Sequence, residues 1–249
     1  MTTFDRLLAS RDQHGSALWV LLDPDRIDKA DLARTTEACV ENGAEAILFG
    51  GSFLISTNFE SMIREVKRVA PEIPLVIFPG DTNQISSAAD AILFLSMISG
   101  RNPELLIGQH AKAAPTIKAM GLEPIATGYI LVESRTQTTV EYVSNTKPLP
   151  RAKPDIAMAH ALAAEYLGMS CVYLDAGSGA GAMVPVDMVK AVSSYINIPV
   201  IAGGGIRTPE DAADRAEAGA SFVVVGSVLE ENDDPALIRS FAEAIHTTA

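Results

Sequence analysis

The stretch Val200-Ile-Ala-Gly-Gly-Gly-Ile-Arg207 and the stretch Phe222-Val-Val-Val-Gly-Ser227 share one plan, a β-branched run followed by small residues. Such a run is typical of a buried parallel strand. The small residues leave backbone N–H groups uncovered, so two neighbouring strand ends of this kind, with helices starting soon afterwards, attract an anion. In a TIM barrel this is the phosphate site after strands 7 and 8. The alternative is that the glycines only make tight turns, but two such turns in succession favour the phosphate site.

Strand-like runs alternate with helix-like segments along the rest of the chain. Strands are predicted at residues 17–22, 46–49, 75–78, 91–95, 124–129, 171–175, 199–202 and 222–225. Helices are predicted at residues 4–10, 31–42, 59–69, 104–120, 154–167, 185–195, 208–218 and 234–246. The first helix is expected to close the bottom of a barrel. The pattern predicts an α/β fold, a single (β/α)8 TIM-barrel domain over residues 1–249.

Two segments depart from a regular alternation of strands and helices. Thr82 to Ala89 is too short and too rich in serine for a full helix. Ser134 to Lys153 is a polar insertion, and loops of that length are usually functional or mobile. The alternative fold is a doubly wound open sheet, which predicts one dominant glycine-rich turn near the first strand. Here the glycine-rich turns instead follow the second, sixth, seventh and eighth predicted strands.

Composition and charge exclude several classes of partner. The chain has 249 residues and a formal net charge of −12, with no basic run, so long-range electrostatics oppose nucleic acid and anionic membrane surfaces. Cys39 and Cys171 provide neither a disulfide framework nor a metal-ligand spacing. The N-terminus lacks a secretory signal pattern, and no apolar run approaches membrane-spanning length. We therefore expect a cytoplasmic protein that has no membrane span and binds no nucleic acid.

Acidic and hydroxyl side chains follow the first two predicted strands. Asp23 and Asp25 flank Pro24, and Ser52 follows Gly50-Gly51 at the next strand end. The C-terminal ends of barrel strands line one mouth, so these side chains are expected to be neighbours. Oxygen ligands of this kind suit Mg²⁺. The alternative is an Asx turn or a helix N-cap with solvated carboxylates, and both interpretations remain open.

Tyr173 and Asp175 lie on the same side of the sixth predicted strand, because strand side chains alternate. Asp175 could bind a substrate hydroxyl or act as a general base; alternatively, Tyr173 fills the barrel and Asp175 only ends the strand. No lysine falls at a predicted strand end, which disfavours a Schiff-base aldolase. Acid–base isomerisation by imidazole is disfavoured because all four histidines are predicted outside the mouth. They are His14, His110, His160 and His246.

Six motifs occur in order along the chain. They are Leu22-Asp-Pro-Asp25, Phe49-Gly-Gly-Ser52, Ala126-Thr-Gly-Tyr129, Tyr173-Leu-Asp-Ala-Gly-Ser-Gly-Ala180, Ala202-Gly-Gly-Gly-Ile-Arg207 and Val225-Gly-Ser227. Together they resemble the geranylgeranylglyceryl phosphate synthase family. Pro148-Leu-Pro-Arg-Ala-Lys-Pro154, with the helix after it, resembles the larger, group II type of that family.

The resemblance implies a Mg²⁺-dependent prenyltransferase of ether-lipid biosynthesis. Such an enzyme joins geranylgeranyl diphosphate, or another long prenyl diphosphate, to the 3-hydroxyl of sn-glycerol 1-phosphate and releases diphosphate. It implies Asp23 and Ser52 as metal ligands, a homo-oligomer that is a dimer or a hexamer, and a third helix replaced by a loop or short strand. It also implies a glycerol 1-phosphate site made of Tyr173, Leu174, Asp175, Ala176, Gly177, Ser178, Gly179, Gly204, Gly205, Gly226 and Ser227.

Asp175 or Tyr173 is the expected catalytic acceptor of the glycerol proton, although many members of the family have Glu where this chain has Asp175. A groove for the prenyl chain is expected between strands two and four. The side chains that could line it, which could equally be ordinary core residues, are Phe53, Leu54, Phe78 and Ile85. Two other functions remain open: a phosphosugar isomerase or lyase on the same barrel, and a non-catalytic protein that binds a phosphate ligand.

Overall fold

Eight parallel strands form the wall of a closed barrel. They pair in sequence order from β1 to β8, and β8 closes on β1. The computed structural model describes residues 1–232 and 234–246. Its strands are β1 Ala17–Leu22, β2 Ala46–Phe49, β3 Leu75–Ile77, β4 Ala91–Ser96, β5 Glu123–Leu131, β6 Cys171–Asp175, β7 Val200–Gly203 and β8 Phe222–Val225. The closed topology confirms the predicted TIM barrel and is incompatible with a doubly wound open sheet.

Helices surround this wall. They are α1 Thr3–His14, α2 Lys29–Glu41, α3 Phe59–Val69, α4 Gln109–Met120, α5 Thr139–Ser144, α6 Pro154–Tyr166, α7 Val186–Ser193, α8 Pro209–Glu217, α9 Ser227–Glu231 and α10 Pro235–Ile245. A π-helical stretch, Glu104–Gly108, leads directly into α4. This stretch lies within the helix predicted at 104–120, whose π-helical start was not predicted. The sequence did not predict α5 and α9, because short helices have no room for a readable apolar periodicity. No helix in the described part of the chain is long and apolar enough to cross a membrane.

Strand side chains alternate between the barrel interior and the surrounding helices. Trp19, Tyr173 and Phe222 point inward and are buried, and the rings of Trp19 and Phe222 stack with centroids 4.2 Å apart. Val20 and Leu22, of the opposite parity on β1, pack instead into the layer between strands and helices. Both faces of the strands are therefore apolar, which is why the strands read as continuous apolar runs in the sequence.

Helix α1 closes the N-terminal end of the barrel, as predicted. Its Leu7 joins the apolar cluster of the barrel interior. The N–H groups of Thr3 and Phe4 donate hydrogen bonds of 2.6 and 3.1 Å to the carboxylate of Glu123, where β5 begins. The helix is longer than predicted and ends at His14.

The two irregular segments have different outcomes. Residues 78–90, between β3 and β4, contain no helix. This confirms that a loop replaces the helix expected after the third strand, which is a different helix from α3. The insertion at 134–153 is folded: it contains α5, and Leu149 forms a parallel bridge with Val132 after β5. Both segments lie on the C-terminal side of the strands and contribute to the site.

Candidate functional site

The ends of β6, β7 and β8 meet at one point of the barrel mouth. The hydroxyl oxygens of Ser178, after β6, and Ser227, after β8, lie 3.1 Å apart. Helix α9 begins at Ser227, and the first N–H groups of a helix have no partner within it. Gly204 and Gly205, after β7, have φ values of +83° and +76°. The predicted neighbours therefore form one cluster, the anion tip, made of the turns after these three strands.

Gly204 allows the chain to pass very close to Asp175. A Cβ at position 204 would lie 2.3 Å from Asp175 Oδ1 and 2.7 Å from the backbone nitrogens of Ala176 and Gly177. Only a residue without a side chain fits at this distance with a positive φ. The glycine therefore does more than make a tight turn: it brings the β7 end against the carboxylate at the β6 end.

Asp175 is a buried carboxylate with several donors. Tyr129 donates its phenol hydrogen to Oδ2 at 2.5 Å, and the N–H of Gly177 donates to Oδ1 at 2.8 Å. Burial raises the pKa of Asp175, although these hydrogen bonds act in the opposite direction. A carboxylate has about four lone-pair sites, so Asp175 retains capacity to accept a hydrogen bond from a ligand hydroxyl.

Tyr173 lies inside the barrel, next to Asp175 and below it. Its ring stacks on Phe78 with centroids 5.3 Å apart and is buried. Burial raises the pKa of the Tyr173 phenol well above its ordinary value, and the negative charge of Asp175 acts in the same direction. Tyr173 is therefore a neutral phenol at pH 7, and Asp175 is the better proton acceptor of the two.

A second cluster, the acidic tip, is formed by Asp23, Gly51, Ser52 and Glu230. The Asp23 carboxylate lies against Gly51, the residue before Ser52: a Cβ on Gly51 would come within 3.0 Å of Asp23 Oδ2. Glu230 Oε1 accepts a 3.1 Å hydrogen bond from the Asp23 N–H. Burial raises the pKa of Asp23 and of Glu230, and the negative charge of Asp23 also raises the pKa of Glu230.

Arg26 is the cation nearest to this cluster in the described residues. Its Nε lies 3.8 Å from Asp23 Oδ2 and its Nη1 lies 3.5 Å from Glu230 Oε2. The positive charge of this partly exposed guanidinium lowers the pKa of Asp23 and of Glu230, but burial has the larger effect and both pKa values remain raised. Oxygen donors and uncompensated negative charge suit a hard divalent cation such as Mg²⁺.

Asp25 does not join the acidic tip. Its carboxylate accepts backbone hydrogen bonds from Ile55, at 2.7 Å, and Ser56, at 2.6 Å, in the loop after β2. Its own N–H donates to Asp23 Oδ1 at 2.9 Å, which is the Asx turn that the sequence left open. Sequence reasoning missed Glu230; the available signal was its position four residues after the glycine that ends β8.

Gln84 fixes the β2 end from the loop that replaces the third helix. Its side chain is buried, accepts from the N–H of Gly51 at 3.1 Å and donates to the carbonyl of Gly51 at 2.8 Å. The amide thus satisfies both backbone groups of Gly51, as a neighbouring strand would. Gln84 therefore holds Gly51 against the Asp23 carboxylate.

The folded insertion supports the loop after β6. The N–H of Gly181 donates to Thr136 Oγ1 at 3.1 Å, and Gly177 packs against Thr138. Arg151 Nη1 donates to the carbonyls of Ala182 and Met183. These contacts come from 134–153, so the insertion supports one turn of the anion tip.

A cavity of about 450 Å³ lies beside the acidic tip, between the β2–β4 ends and α4. Its lining is mainly apolar and includes all four predicted groove residues, Phe53, Leu54, Phe78 and Ile85. The prediction that every histidine lies outside the mouth is wrong for His110, which also lines this cavity. No helix follows β3, so α4 borders the cavity directly. The buried ring of His110 on α4 packs edge-on against Phe94, with centroids 4.6 Å apart.

The mouth therefore combines an anion tip, an acidic tip and an apolar cavity on one TIM barrel. Fold and site define a TIM-barrel protein whose β6 to β8 ends have the form of a phosphate site, with an apolar cavity beside them. The profile of the PcrB family matches residues 13–245, and the chain belongs to that family.

Curated relatives and solved structures agree with this membership. The chain is 46% identical over 230 residues, 92% of this chain and 90% of the relative, to a geranylgeranylglyceryl phosphate synthase of Chitinophaga pinensis. It is 43% identical to one of Korarchaeum cryptofilum, over 94% of this chain and 96% of the relative. The crystal structure of (S)-3-O-geranylgeranylglyceryl phosphate synthase from Thermoplasma acidophilum, in complex with its substrate sn-glycerol-1-phosphate, superposes with a TM-score of 0.93 at 33% identity and 100% coverage of both chains.

Proposed function

We propose that this protein is a geranylgeranylglyceryl phosphate synthase. It transfers a geranylgeranyl group from its diphosphate to the 3-hydroxyl of sn-glycerol 1-phosphate, forming an ether and releasing diphosphate. The observation that carries the proposal is the close contact of Gly204 with Asp175. It places a carboxylate that can accept a hydrogen bond from a hydroxyl next to the glycine turn after β7, where a phosphate can bind. The names of the relatives and the substrate bound in the Thermoplasma acidophilum structure support it.

The anion tip is proposed to hold glycerol 1-phosphate. Its phosphate is bound by the turns that contain Gly204-Gly205, Gly226-Ser227 and Gly177 to Gly179, through N–H groups and the first turn of α9. The glycerol hydroxyl then points to Asp175. Ser178 and Ser227, 3.1 Å apart, supply hydroxyl donors at the same point.

The acidic tip is proposed to bind Mg²⁺ through Asp23 and Ser52, with Glu230 next to them. Mg²⁺ takes few protein ligands and completes its shell with water and substrate phosphates, which fits the small number of oxygen donors here. When bound, it would neutralise charge on the departing diphosphate. Gln84 keeps Gly51 in place, and Asp25 orders the loop at Ile55 and Ser56.

The chain's own residues then arrange the transfer. Asp175 accepts the proton of the attacking hydroxyl, and the neutral Tyr173 and Tyr129 keep the surroundings of that carboxylate fixed. The apolar cavity excludes water from the allylic carbon and holds the prenyl chain. At about 450 Å³, its volume lies within the range of roughly 300–1,000 Å³ that ligand pockets occupy.

A homo-oligomer, dimer or hexamer, and a cytoplasmic location remain predictions. The oligomer is supported by large apolar side chains that are exposed at helix ends far from the mouth. They are Met120, Tyr166, Leu167 and Tyr195. Sedimentation equilibrium on the full chain distinguishes a monomer from either assembly.

The function is tested by incubating the protein with geranylgeranyl diphosphate, sn-glycerol 1-phosphate and Mg²⁺ and extracting the mixture into organic solvent. A new extractable phosphate, absent when either substrate or Mg²⁺ is omitted, is the expected result. Saturable binding of glycerol 1-phosphate without turnover would identify a binding protein instead. Turnover of a phosphosugar with no prenyl transfer would identify an isomerase or lyase and contradict the proposal.

Asp23→Asn separates the metal role from the fold. We expect the variant to need a higher Mg²⁺ concentration for half-maximal activity and to bind prenyl diphosphate less tightly in the presence of Mg²⁺, because a carboxylate ligand is lost. Its binding of glycerol 1-phosphate, measured by calorimetry without prenyl donor, should not change. An unaltered Mg²⁺ dependence would show that Asp23 is not a ligand.

A further inference from the structure

Three side chains that commonly bind metals meet at the end of the barrel opposite the mouth. His14 ends α1, Glu45 precedes β2, and His246 follows α10. One possible ligand atom from each lies within 4.8 Å of the other two. This group therefore joins segments near both ends of the described chain to the start of a barrel strand.

Glu45 is already oriented for such a role. The N–H of Leu18 on β1 donates to its Oε2 at 2.6 Å, while its Oε1 lies 2.7 Å from Nε2 of His246. A backbone hydrogen bond to one carboxylate oxygen, with the other oxygen facing the ligand partners, is the support that carboxylate ligands have in metal sites. The Glu45 and His246 side chains are 12% and 25% exposed, so the group is sheltered but reachable from solvent.

The two imidazoles lie almost parallel, with centroids 4.1 Å apart and an angle of 18° between their planes. The stack thus brings both rings to the same side of the Glu45 carboxylate. A neutral imidazole offers a lone pair to a metal ion. Two imidazole nitrogens and one carboxylate oxygen are a common ligand set for a divalent cation.

We propose that His14, Glu45 and His246 bind one divalent cation of the Zn²⁺ class. A nitrogen from each histidine and Oε1 of Glu45 serve as ligands, and water completes a four-coordinate shell. Imidazole ligands favour Zn²⁺, Ni²⁺ or Cu²⁺, whereas the oxygen-only acidic tip suits Mg²⁺. The two rings turn about their side-chain torsions to direct both lone pairs at the ion.

Such an ion would link the C-terminal ends of α1 and α10 to the start of β2. This structural role is independent of the proposed catalytic function, because the cluster lies at the N-terminal end of the strands. Binding of a ligand by the native state alone raises the stability of that state. We therefore expect Zn²⁺ to raise the Tm of the protein.

The test uses the full chain without an affinity tag, first treated with a chelator and then titrated with Zn²⁺ by calorimetry. Excess Mg²⁺ in every titration occupies the acidic tip. The variants are His14→Gln and His246→Gln, with His160→Gln as the matched control. His160 lies on α6, where its ring contacts the carbonyl of Ile156, and it is outside the cluster.

We expect one Zn²⁺ per chain in the wild type and the control, and affinity at least roughly tenfold weaker in each of the other variants. Co²⁺ in place of Zn²⁺ should give the visible absorption of a four-coordinate site in the wild type and in His160→Gln, and not in the other two variants. Circular dichroism verifies that the variants fold, and Glu45→Gln offers a third ligand change. The proposal is overturned if the wild type binds no stoichiometric Zn²⁺, or if either histidine variant binds it as the wild type does.

Discussion

Gly204 and Gly168 have nearly the same backbone conformation but different surroundings. Their φ values are +83° and +80°, yet a Cβ at position 204 would meet Asp175 Oδ1 at 2.3 Å whereas one at position 168 meets nothing within 4 Å. Alanine costs roughly 1–2 kcal/mol in the left-handed region at either position. The pair therefore separates backbone strain from the close approach that builds the anion tip.

We predict that Gly204→Ala lowers both the affinity for glycerol 1-phosphate and the rate of turnover, because the methyl group displaces the Asp175 carboxylate. Gly168→Ala should lose only the stability that corresponds to backbone strain and keep full activity. Calorimetric binding of glycerol 1-phosphate and urea unfolding measure the two effects. Equal losses of binding in both variants would mean that strain alone, and not the contact with Asp175, accounts for the effect.

Asp175 also gives stability a pH dependence with a definite sign. Burial raises its pKa in the folded state, so above the unfolded value of about 3.9 the native protein retains a proton that the unfolded chain has lost. The contribution of Asp175 to the free energy of unfolding is therefore fully present below the unfolded pKa. It is lost as pH rises through the folded pKa. Asp175→Asn removes the titration.

We predict that Asp175→Asn becomes more stable relative to the wild type as pH rises from about 4 towards neutrality. The difference between their free energies of unfolding should therefore increase over that range. Urea unfolding at a series of pH values measures this difference. Asp155→Asn, at an exposed position on α6, is the control for the loss of one carboxyl group. The prediction fails if the wild-type and Asp175→Asn profiles stay parallel.

At the level of single residues, local sequence predicted more of the anion tip than of the acidic tip. Glycines after β-branched runs indicate turns that leave N–H groups uncovered, wherever the partner strands lie. The partners of Asp23 could not be predicted in this way. Glu230 bonds to it across 207 positions of the chain, and Asp25 bonds to backbone groups 30 and 31 positions away.

At the level of elements, the loop at 78–90 stands in place of a helix and stabilises the end of β2. Its Gln84 pairs with both backbone groups of Gly51, 33 positions earlier in the chain. The sequence could predict the absence of a helix from composition, but it could not predict this long-range pair. The strands, by contrast, were predictable because burial of both faces makes each of them a continuous apolar run.

We predict that Gln84→Ala raises the Mg²⁺ concentration needed for half-maximal activity. It leaves two buried backbone groups of Gly51 unpaired, each at a cost of about 1–3 kcal/mol, and so loosens the β2 end beside Asp23. Asn83→Ala, at the exposed neighbouring position, is the control and should behave as the wild type. Thermal unfolding and Mg²⁺ titrations measure the two effects.

Gln84→Glu refines this test because it keeps the acceptor for the Gly51 N–H and loses the donor to the Gly51 carbonyl. An intermediate Mg²⁺ requirement is expected. If Gln84→Ala lowers thermal stability but leaves the Mg²⁺ requirement unchanged, then Gln84 stabilises the loop without positioning the acidic tip.

At the level of the whole molecule, the absence of one helix from the outer ring produces the cavity. No helix lies between β3 and β4, so the loop between them and the side chains of β4 border the cavity, and α4 covers it from one flank. The sequence predicted a helix at 104–120, but it could not show that this helix would border a cavity. His110 was therefore placed outside the mouth, because it follows no predicted strand.

Ala113 and Ala114 test whether this cavity receives the prenyl chain. Ala113 on α4 lines the cavity and is half-buried, whereas Ala114 is exposed on the same helix turn. A tryptophan at position 113 would fill space that a long chain needs, and one at position 114 would extend into solvent. Both substitutions have the same intrinsic effect on the helix, so a difference between them reports on the cavity.

We predict that Ala113→Trp lowers kcat/KM for geranylgeranyl diphosphate by at least about tenfold, equivalent to 1.4 kcal/mol of lost binding. The loss should be smaller for a prenyl diphosphate with two isoprene units fewer, because its chain ends before the obstruction. KM for glycerol 1-phosphate should stay constant, since the anion tip lies at the ends of β6 to β8. Ala114→Trp should match the wild type with every donor; equal activities of the two variants with the long donor would place the prenyl chain outside this cavity.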